Sequence, residues 1–295
     1  MKVEQDLLEF YAKCCEFFGF TEYPFHASPS PRYLYFTNQY RLAFRRAVYS
    51  IDAGSGFAAV WGSMGLGKTS LAYYMLHIFP EIRPTWDVHF VESAGSISSF
   101  TDTYRRILSV LGRESYRNQS VNEQELREAL AERSEQGLRT VVIIDELQEA
   151  PVSVLKALRV MTNLELPNTK LIQFILFGSE EVFRKLELVP AFRERLVFPT
   201  SLSPFDVQET ADMIRFRLRL AGADERMFTD AQIEEIFFYS VGIPRAAVHI
   251  CSNALQVALD RGSRTITDDI VAKAIEMYNE GLGVTMVHGK RKRKK

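Results

Sequence analysis

The chain has 295 residues, 46% of them apolar and 25% charged, with a formal net charge of −1. That balance is the one of a folded globular protein long enough for one large or two modest cores, and it excludes disordered, repetitive and collagen-like classes. The charge is unevenly placed: Lys290, Arg291, Lys292, Arg293, Lys294 and Lys295 are all basic, and the rest of the chain carries −7. Attraction to nucleic acid is therefore expected from this tail or from a local patch, unless the tail is simply a solvated end.

Three cysteines, Cys14, Cys15 and Cys251, fit neither a disulfide framework nor paired zinc spacing, which suggests a reducing, cytoplasmic setting. Glu4, Asp6 and Glu9 interrupt the opening residues, so they do not read as a signal peptide. The longest apolar runs, such as Leu171 to Phe177, are too short for a bilayer, and no membrane insertion is expected.

Residues 1–37 combine a short helix from Leu7 to Phe17 with a segment rich in aromatics and prolines, from Phe18 through Tyr23, Phe25, Tyr33 and Tyr35 to Phe36. This segment is expected to pack on the domain that follows, as a cap over its edge or across the mouth of its ligand site. Asn38 to Ile51 then reads as a helix, apolar on one side and carrying Arg41, Arg45 and Arg46 on the other.

Next comes the apolar run Phe57 to Trp61, followed by Gly62, Ser63, Met64, Gly65, Leu66, Gly67, Lys68 and Thr69, with a helix expected from Ser70 to Phe79. Strand, G-x-x-x-x-G-K-T and helix in that order are a phosphate-binding loop. Its glycines let successive N–H groups turn toward a triphosphate, and the helix adds the positive end of its dipole. Lys68 is expected on the β and γ phosphates and the Thr69 hydroxyl on magnesium, so the cofactors are ATP and Mg²⁺.

A second strand, Val88 to Val91, leads to helices at Ser99–Leu111 and Asn122–Glu135. The run Thr140 to Ile144 then closes on Asp145 and Glu146. An apolar, β-branched run of this kind is buried on both faces, as in a parallel sheet, and its carboxyl end opens where such sheets bind ligands. Asp145 is placed for the magnesium shell and Glu146 for the attacking water, although acids after a strand also serve as helix caps. A helix from Ser153 to Leu164 precedes a buried strand from Leu171 to Phe177, whose tip, Gly178 and Ser179, faces the same crevice. Ser179 reads equally as a γ-phosphate reporter and as the cap of a helix at Glu180–Leu186. After Arg193 and Arg195, a last strand-like run spans Leu196 to Pro199.

From Ser203 only helical patterns follow: Val207–Ala221, Asp230–Ser240, Pro244–Asp260 and Thr267–Asn279. The reading is an α/β fold, a parallel sheet flanked by helices over residues 38–202, then a small all-helical lid over 203–283 and a basic tail over 284–295.

Taken together, the residues resemble a known family. Phe17-Phe18-Gly19-Phe20-Thr21-Glu22-Tyr23-Pro24-Phe25, then Pro29-Ser30-Pro31-Arg32-Tyr33-Leu34-Tyr35, is similar to the opening of the ExeA/GspA-type AAA+ ATPases, and Gly242-Ile243-Pro244-Arg245 to their lid. Transposition regulators of the TnsC, TniB and MuB kind resemble the same core. The resemblance implies an AAA+ P-loop NTPase in which Lys68, Thr69, Asp145 and Glu146 act as above and Ser179 is the first sensor. It also implies that Arg245 is the second sensor and that Arg193 or Arg195 is an arginine finger offered to a neighbouring subunit; a surface salt bridge is the plainer role for each arginine. Two functions follow from the resemblance, and a plainer third stands beside them. The first is a DNA-associated regulator, most readily of transposition, that assembles with ATP into a ring or filament and acts on a transposase or other partner. The second is a secretion or envelope-assembly ATPase. The third is a low-turnover signalling or defence switch. Membrane-bound members run on past the lid, whereas this sequence stops at its basic tail.

Overall fold

The computed structural model describes residues 2–166, 169–182, 185, 195–196 and 198–281. In chain order these form helices α1 (Lys2–Phe18) and α2 (Asn38–Asp52), strand β1 (Phe57–Trp61), helix α3 (Lys68–Ile82) and strand β2 (Trp86–Val91). Helices α4 (Phe100–Val110) and α5 (Gln119–Glu135) precede β3 (Arg139–Ile144) and α6 (Val152–Met161). The short strands β4 (Glu165–Leu166) and β5 (Thr169–Lys170) lead to β6 (Ile172–Gly178) and β7 (Thr200–Ser201). Helices α7 (Val207–Leu220), α8 (Asp230–Ser240), α9 (Pro244–Asp260) and α10 (Asp268–Gly281) complete the set.

The chain divides into two compact units: residues 29–203, and residues 1–28 together with 204–295. The first is α/β. Its sheet has the order β2-β3-β6-β1-β7, with every pairing parallel. Val141 to Ile144 of β3 and all of β6 are buried, because these are inner strands and helices α2 to α5 pack against the sheet. Parallel pairing also puts the carboxyl ends of β1, β3 and β6 along one rim, which is where the phosphate loop, the two acids and Ser179 lie.

Three sequence expectations shift in this unit. The helix after the phosphate loop starts at Lys68 rather than Ser70, so Lys68 and Thr69 occupy its first turn. Of the run read as a strand from Leu196 to Pro199, Leu196 makes an isolated parallel bridge to Phe57, Phe198 and Pro199 are outside any strand, and β7 forms after Pro199, which has no N–H to give a ladder. The antiparallel pair β4–β5 went unread, since two-residue strands carry no period. Of the helix expected at Glu180–Leu186, Glu181, Val182 and Lys185 are helical, while residues 183, 184 and 186, together with Arg193 and the basic tail, lie outside the described residues.

The second unit is helical. Helix α9 packs on α1, α7, α8 and α10 and forms its centre, with Ala247, Ile250, Cys251, Ala254 and Leu255 buried. Capping boxes open α7 (Asp206 with Glu209) and α8 (Thr229 with Gln232), each satisfying two backbone donors that a helix start leaves open. Residues 1–37 were expected on the ATPase core; residues 29–37 do fall in that unit, with Phe36 against Tyr40 and Tyr74, whereas residues 1–28 belong to the helical unit. Tyr23 and Phe25 are 2% and 1% exposed. The Tyr23 hydroxyl meets Ser252 Oγ at 2.7 Å, and the Phe25 ring lies edge-on to Phe228 at 6.0 Å. Thr21 N–H donates to Ala221 O at 2.9 Å, and Arg217 donates to the carbonyls of Pro24 and His26 at 3.2 and 3.3 Å. These bonds supply partners for backbone that would otherwise be buried unpaired, so the segment is built onto the helices.

Among the described residues, no helix is long and apolar enough to cross a membrane.

Candidate nucleotide-binding site

The phosphate loop is tied at both ends and open at its tip. Gly62 N–H donates to Gly178 O at 3.2 Å, which joins the loop to the end of β6. A side chain at Gly62 would come within 2.7 Å of Leu202 O, so only glycine fits between these backbones. At the other end Leu66 is 1% exposed and its carbonyl accepts the Tyr40 hydroxyl at 2.7 Å. Between them Ser63 and Met64 face water. The first turn of α3 carries no acid, so the positive end of its dipole is left for an anion. Lys68, 7% exposed, folds its ammonium back onto Gly62 O at 2.9 Å and Ser63 O at 3.0 Å, which curls the loop around it.

The Thr69 hydroxyl donates to Asp145 Oδ2 at 2.6 Å, joining the loop to the end of β3. Asp145 is 1% exposed. Burial raises its pKa, opposed by the Thr69 bond, the Glu146 N–H and the nearby Lys68 charge. A buried carboxylate beside a hydroxyl is the donor set a hard divalent cation takes, and the charge it carries at a desolvation cost is what such a cation would offset. The pair therefore fits magnesium.

Glu146 follows in the left-handed region at φ 54°, with its N–H on Asp145 Oδ1 at 2.8 Å and its carbonyl accepting Glu149 N–H at 3.0 Å. A non-glycine residue in this conformation is uncommon and concentrates at functional sites. Its carboxylate accepts a bond from the Gln148 amide, whose oxygen accepts the Ser179 N–H at 2.9 Å. The Ser179 hydroxyl accepts Glu181 N–H at 3.4 Å, the capping geometry, and Ser70 is half-buried in the first turn of α3.

Of the three arginines, Arg195 is engaged within its own subunit, donating to Thr162 Oγ1 at 2.6 Å and Asn163 Oδ1 at 2.7 Å beyond the end of α6. Arg193 lies outside the described residues. Arg245 is exposed at the second position of α9, in the helical unit. The sequence reading missed Tyr40 and Gln148. Nothing in the sequence marks Tyr40, whereas Gln148 stands two places after the acid pair.

Residues 51–186 match the family model described as AAA domain. The unit of residues 29–203, which contains this match, has the AAA+ P-loop fold. The general secretion pathway protein A of Aeromonas hydrophila is 31% identical over 268 residues, which is 89% of this chain and 48% of that protein; the chain thus spans about half of that relative. In fold the chain resembles the Aeropyrum pernix ORC2 protein, with a TM-score of 0.63 and 20% identity over 81% of this chain and 66% of that one. It also resembles the Thermotoga maritima RuvB Holliday junction branch migration motor, with a TM-score of 0.55 and 19% identity over 80% of this chain and 68% of that one. The AAA+ domain thus has the phosphate loop and acid pair on one rim, as that fold requires.

Proposed function

We propose that this chain is a magnesium-dependent ATPase that uses ATP to switch the assembly of its own copies, in the manner of the ExeA/GspA-type secretion and envelope-assembly ATPases. The observation that carries this reading is the Thr69–Asp145 contact at 2.6 Å, which brings the loop and the β3 acids into one site. Thr69 and Asp145 would hold magnesium, which when bound neutralises charge on the β and γ phosphates. Lys68 exchanges its bonds to Gly62 and Ser63 for phosphate oxygens. Glu146 orients the attacking water and takes its proton. Ser179 and Arg245 report on the terminal phosphate, and Arg193 or Arg195 neutralises charge at a neighbouring subunit's site.

The likeness to the Aeromonas protein over most of this chain supports the secretion-type reading as the first. A DNA-associated regulator, of transposition or another process, is the second reading; the basic tail and the DNA motor among proteins of the same fold favour it.

One experiment separates them: turnover and assembled mass with ATP, measured with and without duplex DNA at low and high salt. Turnover indifferent to DNA supports the secretion-type reading. Stimulation that vanishes with salt, as counterion release requires, overturns that order. Failure of Mg-ATP to bind at all removes both.

A further inference from the structure

Gln148 bridges the tips of two adjacent strands, β3 and β6. Its amide nitrogen donates to Glu146 Oε2, and its amide oxygen accepts Ser179 N–H at 2.9 Å. The orientation of the amide is dictated from both sides: a backbone N–H can only face the oxygen, and an ionised carboxylate can only face the NH₂. The segment is braced as well, since Lys185 Nζ binds the carbonyls of Gln148 and, at 2.8 Å, Ala150. There is no slack at the β6 tip, where a Cβ on Gly178 would lie 2.3 Å from Val182 and 3.1 Å from the Gln148 amide oxygen.

We propose that Gln148 is a positioning residue for hydrolysis, fixing the rotation of the Glu146 carboxylate and coupling it to the strand tip that carries Ser179. The inference rests on Glu146 being the base. Glu146 sits on a left-handed residue at a strand end, and a bond from a braced amide constrains its carboxylate. Because the same amide holds Ser179 N–H, a movement at the β6 tip is passed to the carboxylate without any helix having to shift. A general base out of line by a fraction of an ångström loses rate while nucleotide binding, which depends on the loop, is unaffected.

The test uses the full chain and two variants. Gln148→Met keeps the length of the side chain without its hydrogen bonds, and Gln148→Glu keeps an oxygen for Ser179 N–H but has no donor for Glu146. Each is expected to lower kcat about 10- to 100-fold while KM and the affinity for a fluorescent ATP analogue change less than about two-fold. Placed in a Glu146→Gln background, neither should lower kcat further, because the residue acts through Glu146. Parent-level kcat in both variants, beside an inactive Glu146→Gln, overturns the proposal and leaves the base assignment standing. So does a full additional loss in the Glu146→Gln background. A Glu146→Gln variant that turns over at the parent rate removes the base assignment and this proposal together. If Gln148→Met fails to fold, Gln148→Glu carries the same readouts.

Discussion

Gly67 gives the sharpest quantitative prediction. It sits at φ 74°, and a Cβ there would lie 2.7 Å from the Tyr40 hydroxyl, whose ring is 1% exposed and cannot swing away. Gly67→Ala therefore has two costs. Holding an L-residue in the left-handed region costs about 1–2 kcal/mol. Displacing the hydroxyl from Leu66 O, leaving a buried carbonyl without its donor, costs about 1–2 kcal/mol more. The single variant should thus lose about 3 kcal/mol, and Tyr40→Phe, which loses only the hydrogen bond, about 1.5 kcal/mol. With the hydroxyl already gone, the double variant should also lose about 3 kcal/mol rather than the additive 4.5 kcal/mol or so. Urea unfolding followed by tryptophan fluorescence reads this directly, because the two tryptophans, Trp61 and Trp86, both lie in the AAA+ domain. A double variant destabilised by the full sum would refute the reasoning, since the Cβ and the hydroxyl would then not compete for one place.

Further outcomes follow from other sites. Val241, a β-branched residue at φ 52° and 68% exposed, ends α8 in a conformation suited to glycine; Val241→Gly should stabilise the helical unit by about 1 kcal/mol in thermal unfolding, and a destabilised variant would contradict this. Burial pushes the Cys14 thiol up to about 12 and also raises Cys251 and Cys15. Their thiolate fraction at neutral pH is therefore small, so iodoacetamide should label the folded protein slowly and all three thiols quickly in urea; rapid labelling of folded Cys14 or Cys251 would count against it. Lys68→Ala should abolish ATP binding in a fluorescent-analogue titration, and binding at parent affinity would remove Lys68 from the site. Mixing Lys68→Ala subunits with Arg193→Ala or Arg195→Ala subunits should restore turnover if a finger acts between subunits; no rescue with either arginine leaves both in structural roles.

How far the sequence could be read depended on whether the information was local. Thr140 to Ile144 and Leu171 to Phe177 announce buried parallel strands because each is almost entirely apolar and free of charge over a strand's length, and the phosphate loop is spelled within eight residues. Gln148 acquires its role only because β3 and β6 are neighbours in the sheet while lying far apart in the chain. Tyr40 matters because α2 returns to the phosphate loop, and no periodicity encodes that. The opening aromatics did announce burial, but hydrophobicity is non-directional: it says that Tyr23 and Phe25 are covered, not by what. Arg195 was read as a residue offered outward, and the side chains of Thr162 and Asn163 that hold it lie more than thirty residues earlier.

The helical unit is assembled from both extremities of the described chain, with the AAA+ domain as an excursion between residues 28 and 204. An excised piece covering 204–281 would thus lack Thr21 against Ala221 and Tyr23 against Ser252, and would expose the apolar groups they cover. Trimming the opening residues is for the same reason surgery on the carboxyl-terminal half. Residues 29–203, which supply every strand of their own sheet, are the better choice for a minimal folding fragment.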